Sequence, residues 1–298
     1  MSARYLGIDI GGTAARWVVV DGAGTEIARG AAPGATGHLF AAAERERFAL
    51  ALEAIAAGCG DVAAVQAGIT GLGTQMQSEA QQLLAAQFGV AATAVAVSDD
   101  MELAYRACFA PGTGHLVAAG TGSIGLHITA GGEAVRVGGR GILIDDGGSG
   151  SWIALRALDR LYRQIDESGT PGAAAGLAEA LFAAIGGRSW DDVRSFVYGS
   201  DRGRIGTLAQ AVAAAASAGD SVAAGVLEDA ARELARLARA LLRRCGERPV
   251  AFVGGVLALH SAIAVGLKTA LPDTELRYPR IDAALHAAEM AREILARS

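Results

Sequence analysis

Apolar positions first crowd, then alternate, then recur at helical spacing, and these changes of period divide the chain. Residues 5–10 read as an apolar strand, Gly11-Gly12-Thr13 as a tight turn, and residues 16–20 as a second strand closed by Asp21-Gly22. A third strand is expected around 25–28. Helical spacing then takes over at 39–57, with charged residues on the far face. Residues 62–69 form a buried-strand candidate ending in Thr70-Gly71-Leu72-Gly73. A helix at 76–87, a strand at 91–97 ending at Ser98-Asp99-Asp100, and a helix at 101–109 complete the first stretch, and Pro111-Gly112 closes it.

The opening device then returns. Residues 115–119 read as a strand, Gly120-Thr121-Gly122-Ser123 as a glycine turn, and residues 124–129 as a second strand closed by Gly131-Gly132. A repeat more than a hundred residues long points to a duplicated domain, since solenoid periods are far shorter; two unrelated hairpins are the alternative. Beyond Gly138-Gly139-Arg140-Gly141 a short strand is expected at 142–144, then Asp145-Asp146-Gly147-Gly148-Ser149-Gly150-Ser151 and a helix at 152–165. The Ala/Gly-rich 170–187 reads as helical, and 204–218 and 221–245 as long amphipathic helices. A buried strand at 249–253 and the turn Gly254-Gly255 precede a helix at 257–270, and Arg277-Tyr278 leads through Pro279 to a final helix at 283–296. Strands alternating with helices make this an α/β protein.

Composition narrows the classes. The chain has 298 residues, 52% of them apolar, 19% charged and 41 glycine, which suits a packed core with many tight turns rather than disorder. Basic residues number 26 against 31 acidic ones, a net charge of −5 without a Lys/Arg cluster, so no nucleic-acid partner is expected. Cys59, Cys108 and Cys245 are scattered, giving neither a disulfide framework nor metal-ligand spacing. No secretory signal or membrane-spanning run is read, so a cytoplasmic protein without a membrane partner is expected. A homodimer is left open.

The chemistry sits in glycine loops at strand ends, where open α/β sheets bind ligands. Gly120-Thr121-Gly122-Ser123-Ile124-Gly125 fits the dinucleotide fingerprint on paper, but alternation in 126–129 places a strand where that fingerprint needs a helix. A strand–Gly/Thr turn–strand still suits phosphate: glycines bring successive N–H groups close to an anion, and threonine adds a hydroxyl donor. Two such hairpins, at Gly11, Gly12, Thr13 and at Gly120, Thr121, Gly122, Ser123, would grip a polyphosphate; ordinary hairpin turns are the plain alternative. Asp9 is placed to hold Mg²⁺ through water, or simply to accept turn N–H groups. Asp99 is a candidate base for a hydroxyl nucleophile, Asp100 competes with it, and either could cap a helix. Asp145 and Asp146 precede a helix whose positive end could enter a cleft. Val253-Gly254-Gly255 suits a flat ring against backbone.

In this order, the segments resemble the acetate and sugar kinase, Hsp70 and actin superfamily. Gly7-Ile8-Asp9-Ile10-Gly11-Gly12-Thr13 is similar to its first phosphate motif, residues 115–123 to its second and residues 250–257 to its adenosine motif. The run from Val97-Ser98-Asp99-Asp100 through Gly120-Thr121-Gly122-Ser123 and Gly138-Gly139-Arg140-Gly141 to Asp146-Gly147-Gly148-Ser149-Gly150-Ser151-Trp152 resembles the N-acetylglucosamine kinase branch, grouped with the BadF/BadG-type ATPases. The resemblance implies two duplicated RNase H-like domains of the actin-like ATPase kind with a cleft between them, spanning 1–111 and 112–282, with 283–298 packing back on the first. It implies an ATP-dependent hexosamine kinase that phosphorylates the 6-hydroxyl of N-acetylglucosamine or glucosamine. Asp99 would then be the catalytic base. Gly11, Gly12, Thr13, Gly120, Thr121, Gly122 and Ser123 would hold ATP phosphates, and Gly254 and Gly255 the nucleoside. Gly37, His38, Thr70, Gly71, Gly138, Gly139, Arg140 and Asp146 would face the sugar.

Two departures concern the sugar. The branch carries Asn in the loop matching Ala35-Thr36-Gly37-His38, and often Trp where Arg140 stands. Losing an amide and an aromatic platform while gaining a guanidinium shifts the preferred ring substituent. Two rival functions remain. One is a BadF/BadG-type ATPase that activates a partner enzyme, although Cys108 and Cys245 lack the setting of an iron–sulfur cluster. The other is a kinase-fold sugar sensor, for which a front helix-turn-helix is not expected with the phosphate strand at residue 5.

Overall fold

The computed structural model describes residues 3–296; residues 1–2 and 297–298, at the ends of the expected spans 1–111 and 283–298, lie outside the described residues. The chain divides into two compact units. One runs to Cys108 and resumes at Ile281; the other is Phe109–Arg280.

The first unit opens with β1 (Arg4–Ile10), β2 (Ala14–Asp21) and β3 (Glu26–Pro33), followed by α1 (Ala42–Cys59), β4 (Ala64–Ile69), α2 (Gln77–Phe88), β5 (Val95–Asp99) and α3 (Asp100–Cys108). Its sheet has the order β3-β2-β1-β4-β5, with β1–β3 antiparallel and β4 and β5 parallel to β1. Every residue of β4 is buried, as a central parallel strand covered on both faces requires, whereas β3 alternates between exposed and half-buried positions at the edge.

The second unit begins with β6 (His115–Ala119), β7 (Ser123–Ile128) and β8 (Ala134–Gly138). A helical layer follows: α4 (Gly150–Ser168), α5 (Ala175–Ile185), α6 (Trp190–Tyr198), α7 (Arg202–Ser217) and α8 (Ser221–Cys245). Then come β9 (Val250–Val253), α9 (Ser261–Ala270) and the short β10 (Leu276–Arg277). Its sheet order is β10-β9-β6-β7-β8, with β6–β8 antiparallel and β9 and β10 parallel. Read from its other edge, this repeats the first sheet strand for strand, so the two units are duplicated RNase H-like folds. The core of this unit is built on α8, whose Val226, Leu227, Ala230, Ala231, Leu234, Leu237 and Leu241 are buried at helical spacing.

Finally α10 (Ala283–Ala296) returns to the first unit, where Ala284 and Ala288 bury against Val18 and Val20. Its approach depends on Gly7, because a Cβ there would lie 2.1 Å from both Ala284 O and Ala288 N. No helix among the described residues is long and apolar enough to cross a membrane.

Several expected elements are corrected. Residues 142–144 form a turn, not a strand: Leu143 is 97% and Ile144 77% exposed, and the flanking Gly141 and Asp146 have φ of 86° and 61°, outside any strand. The third strand of the second sheet is β8, upstream. Residues 92–94 form a tight helical turn before β5, and α9 begins at Ser261 after a separate turn at Gly255–Ala258. The helix α6 is an element that the sequence pattern does not predict. Ser189 starts it with a capping box, its hydroxyl accepting from Asp192 N while the Asp192 carboxylate accepts from Ser189 N.

Candidate active site

In the first unit, the carboxyl ends of β1, β4 and β5 lie side by side, Asp9 level with Gly68 and Ser98, and Ile69 level with Asp99. Past these ends the backbone is knitted into one loop cluster. Gly11 N donates to Ala14 O (3.0 Å) and closes the Gly11–Thr13 turn, Thr70 N donates to Ile10 O (2.9 Å), Ala35 N to Gly11 O (3.1 Å) and Gly37 N to Thr70 O (2.9 Å). A Cβ on Gly71 would stand 2.9 Å from His38 Nε2. Hence Gly11, Gly12, Thr13, Gly37, His38, Thr70 and Gly71 occupy one edge of one sheet with Asp9 and Asp99. Gly12 and Thr13 are exposed, and a Cβ on Gly12 would meet nothing within 4 Å, so an anion can come close to this backbone.

Carboxylates dominate the electrostatics of that edge. Asp99 is 6% exposed at the end of β5, and Met101 N donates both to Asp99 Oδ1 (3.1 Å) and to Asp100 Oδ1 (2.9 Å). The Asp100 carboxyl is pushed up to about 7, first by burial and then by the neighbouring charges of Asp99 and Asp9, against a hydrogen bond from the Thr70 side chain. Asp9 also sits above the usual carboxylate range. Burial is the main cause; Arg16, its partner across the hairpin, pulls it down and Asp282, just before α10, pushes it up.

The second unit builds its edge from different groups. Gly120 N donates to Gly122 O (2.9 Å), closing the turn, and the N-terminus of α4 lies against it: Gly150 N donates to Gly120 O (2.8 Å) and Ser151 Oγ to Thr121 O (2.6 Å). Ser149 caps α4, its Oγ accepting from Trp152 N (3.2 Å), and Ser123 Oγ donates to Gly147 O (2.7 Å). Gly254, with φ of 105°, packs its α-carbon on Ala119, where a Cβ would be 2.3 Å from the carbonyl oxygen. The adjoining Gly255 is open. The turn Gly120–Gly122 does run into a strand, β7, and the dinucleotide fingerprint is thereby excluded.

Asp146 is 2% exposed in a left-handed backbone conformation, and its Oδ2 has no hydrogen-bond partner. A Cβ on Gly122 would stand 3.0 Å from that oxygen. Burial raises its carboxyl above the ordinary range, while Arg202 and the backbone N–H groups of Ser123 and Gly141 pull the other way. Gly138 pairs with Ile124 at the end of β8, and a Cβ on Gly139 would stand 2.9 Å from the Ile124 side chain. Arg140 extends to Asp145 at 3.7 Å with 65% of its side chain exposed, and Asp145 is also held by Arg236 at 3.0 Å.

Sequence reasoning missed Arg16, Asp282, Ser151 and Arg202. Arg16 had a signal, since a two-strand hairpin places it opposite Asp9. Asp282 had none, because only the return of α10 brings it to β1.

The sequence profile of the BadF/BadG/BcrA/BcrD ATPase family matches residues 6–291. The chain is 30% identical over 142 residues to an N-acetylmuramic acid/N-acetylglucosamine kinase of Clostridium acetobutylicum, a match covering 47% of this chain and 45% of that kinase, so it spans about half the length of the curated relative. Among solved structures, a candidate N-acetylglucosamine kinase of Chromobacterium violaceum superposes with a TM-score of 0.75 at 24% identity, over 97% of this chain and 99% of the other. A ROK family glucokinase of Streptomyces griseus, solved with glucose and AMPPNP, gives 0.61 at 19% identity, over 98% and 100%. At these identities the two structures establish the actin-like ATPase fold.

Proposed function

The chain belongs to the BadF/BadG/BcrA/BcrD ATPase family, and from that premise we propose that it is an ATP-dependent amino-sugar kinase, moving the γ-phosphoryl of ATP to the 6-hydroxyl of N-acetylglucosamine or glucosamine. The observation that carries the reading is the pair formed by the buried Asp99 and the half-buried Asp100 at the end of β5, beside the Gly/Thr hairpin and Thr70. Phosphoryl transfer asks for a cradle of donors at the phosphates and one acid–base group at the acceptor hydroxyl. A general base works best with a pKa near the working pH.

Each residue has a role in this reading. Gly11, Gly12 and Thr13, and Gly120, Thr121, Gly122 and Ser123, offer N–H and hydroxyl donors to ATP phosphates, and Gly254-Gly255 offers a flat backbone to the nucleoside. Gly37, His38, Thr70, Gly71, Gly138, Gly139, Arg140 and Asp146 shape the sugar subsite. Asp99 is the base expected from the motif. Asp100 competes with it: burial and the neighbouring charge of Asp99 push its carboxyl up to about 7, while the Thr70 hydrogen bond pulls the other way.

The hard carboxylate oxygens of Asp9 suit Mg²⁺. Among the described residues no group of three or more His, Cys, Asp or Glu cages a metal, and Mg²⁺ is usually held by one or two carboxylates with substrate phosphates and water. Bound through Asp9, it would neutralise phosphate charge.

The test is ADP release measured across glucosamine, N-acetylglucosamine, glucose and N-acetylmannosamine. Release that depends on an amino sugar is expected; the same rate with and without any sugar would defeat the proposal.

A further inference from the structure

Between β3 and α1, the loop of residues 34–41 runs along the same edge as Asp9, Thr70 and Asp99, and it presents one large apolar side chain that the phosphate and proton chemistry does not use. The loop is tied down at several points. Ala35 N donates to Gly11 O (3.1 Å), Gly37 N to Thr70 O (2.9 Å) and Ala41 N to His38 O (3.1 Å). The Thr36 hydroxyl donates to Glu44 Oε2 of α1 (2.7 Å). Leu39 is buried in the core of the unit, and a Cβ on Gly37 would stand 2.5 Å from Leu72 Cα. With Leu39 held inside, the side chains before and after it, His38 and Phe40, are left outside. Phe40 is 72% exposed, and its ring centroid lies 5.7 Å from that of His38, the two planes tilted by 36°.

A single exposed apolar side chain is ordinary on a protein surface. Phe40 differs in where it is fixed. His38 rests against Gly71, whose added Cβ would meet Nε2 at 2.9 Å, and the preceding Thr70 hydrogen-bonds the Asp100 side chain. The two rings therefore continue outward from the acid pair, on a loop already ordered before any ligand arrives. A hexose has the matching chemistry, with hydroxyls around its rim and C–H groups across its faces. An aromatic ring takes up the C–H groups, and a polar side chain beside it fixes orientation. We infer that Phe40 is a specificity-determining residue of the sugar subsite, its ring lying against the C–H face of the amino sugar whose hydroxyl is directed to the acid pair. The inference rests on the kinase reading of this edge. Covering a ring that is 72% exposed in the free protein supplies the affinity.

Calorimetric titration of N-acetylglucosamine and of glucosamine into the full chain, with sugar-dependent ADP release measured alongside, tests this. Phe40→Ala is expected to weaken sugar affinity at least about 10-fold and to raise the sugar KM by the same factor, as for loss of one covered apolar side chain. Its ATP affinity and its ADP release at saturating sugar should stay within about twofold of wild type, the split expected of a residue that binds without reacting. The thermal melt should not move, because the ring is exposed in the free protein. Phe40→Trp, which keeps an aromatic face, should hold sugar affinity within about threefold. Wild-type sugar affinity in Phe40→Ala overturns the inference and leaves the kinase reading standing. Equal losses in Phe40→Ala and Phe40→Trp overturn it too, since the aromatic face would then not be what the sugar meets. A wild type without sugar-dependent ADP release overturns both this inference and the kinase reading.

Discussion

The hairpins at Gly11–Thr13 and Gly120–Gly122 occupy the same place in two sheets of the same order, and even their locking bonds correspond. In each, the carbonyl of the first glycine accepts an N–H from a later segment, from Ala35 in one and from Gly150 in the other. What stands behind them differs. The first is backed by Asp9, Asp99, Asp100 and Asp282, with two of the carboxyls pushed above their usual range. The second is backed by the hydroxyls of Ser149 and Ser151 and the positive end of a 19-residue helix. Duplication preserved the backbone device and left the chemistry to the neighbours. In the proposed kinase both hairpins face ATP phosphates, the first beside acids that serve the proton and Mg²⁺, the second beside the positive end of a helix.

The largest expected effect separates those two jobs. Replacing the base among the acids, Asp100→Asn or Asp99→Asn, should lower kcat by roughly 10²–10⁴-fold with nucleotide affinity nearly unchanged. Ser151→Ala, on the anion side, should weaken nucleotide binding while leaving kcat closer to wild type. Steady-state kinetics with ATP varied reads both. Equal losses of kcat in the acidic and hydroxyl variants would erase the division of labour.

Next in size are glycines that fix how each edge is assembled. Gly7→Val drives a Cβ into the backbone of α10 at 2.1 Å, where no side chain can yield, and should cost about 4 kcal/mol or more by urea unfolding. Gly254→Val meets Ala119 O at 2.3 Å from a φ of 105° and should be comparably severe for the second unit. Gly12→Ala, with nothing in its way, should stay within about 1 kcal/mol. If Gly7→Val melts like Gly12→Ala, α10 does not clasp β1 as described.

These contrasts also mark how far the sequence could be read. The strand–glycine–strand repeat, the end of β5 at Asp99 and the helix Ser221–Cys245 are all legible, because each depends on local period and turn chemistry. The triplet Ile142-Leu143-Ile144 misleads for the opposite reason: its apolar run mimics a strand, while the positive φ values of Gly141 and Asp146 around it take the backbone out of any strand. The strand β8 is short, with an exposed Ala134 and Arg136, and leaves little periodicity to find. At the site, the motif names the Asp99–Asp100 pair but cannot rank its members. The surroundings of Asp100 include Thr70 and Asp9, which lie 30 and 91 positions away from it in the chain. The signal for α6 lies in Ser189-Trp190-Asp191-Asp192, a capping box followed by apolar positions.

A smaller effect follows from the raised acid. A carboxyl whose folded pKa of about 7 exceeds its unfolded value of 3.8 holds its proton more tightly when folded. Its contribution to stability is therefore complete below pH 4 and fades as the pH rises through 7. Asp100→Asn, which cannot ionise, should match wild type near pH 4 and exceed it at pH 8 by a few kcal/mol in the ligand-free protein. His115 in the second unit has the opposite sense: burial lowers its pKa from 6.5, so its contribution is present above 6.5 and lost on acidification. Urea unfolding across pH 4–8 reads both slopes. A wild type and Asp100→Asn that stay parallel over that range would remove the buried acid from the account of the first edge.

The smallest effect probes the second edge by itself. Ser149 gives α4 its N-cap, its hydroxyl accepting from Trp152 N at 3.2 Å and lying 3.3 Å from the Ser151 hydroxyl, which in turn donates to Thr121 O. Ser149→Ala removes the cap and loosens the bond that fixes the hairpin to the helix, for about 1 kcal/mol of stability. Since that end of the helix holds the Gly120–Gly122 hairpin proposed for ATP phosphates, nucleotide affinity should fall several-fold as well, and Ser149→Thr, which keeps the hydroxyl, should restore both. Calorimetric titration of a non-hydrolysable ATP analogue into the two variants checks this. Lost stability with undiminished nucleotide affinity would confine Ser149 to capping and leave the hairpin's N–H groups as the whole of the anion site.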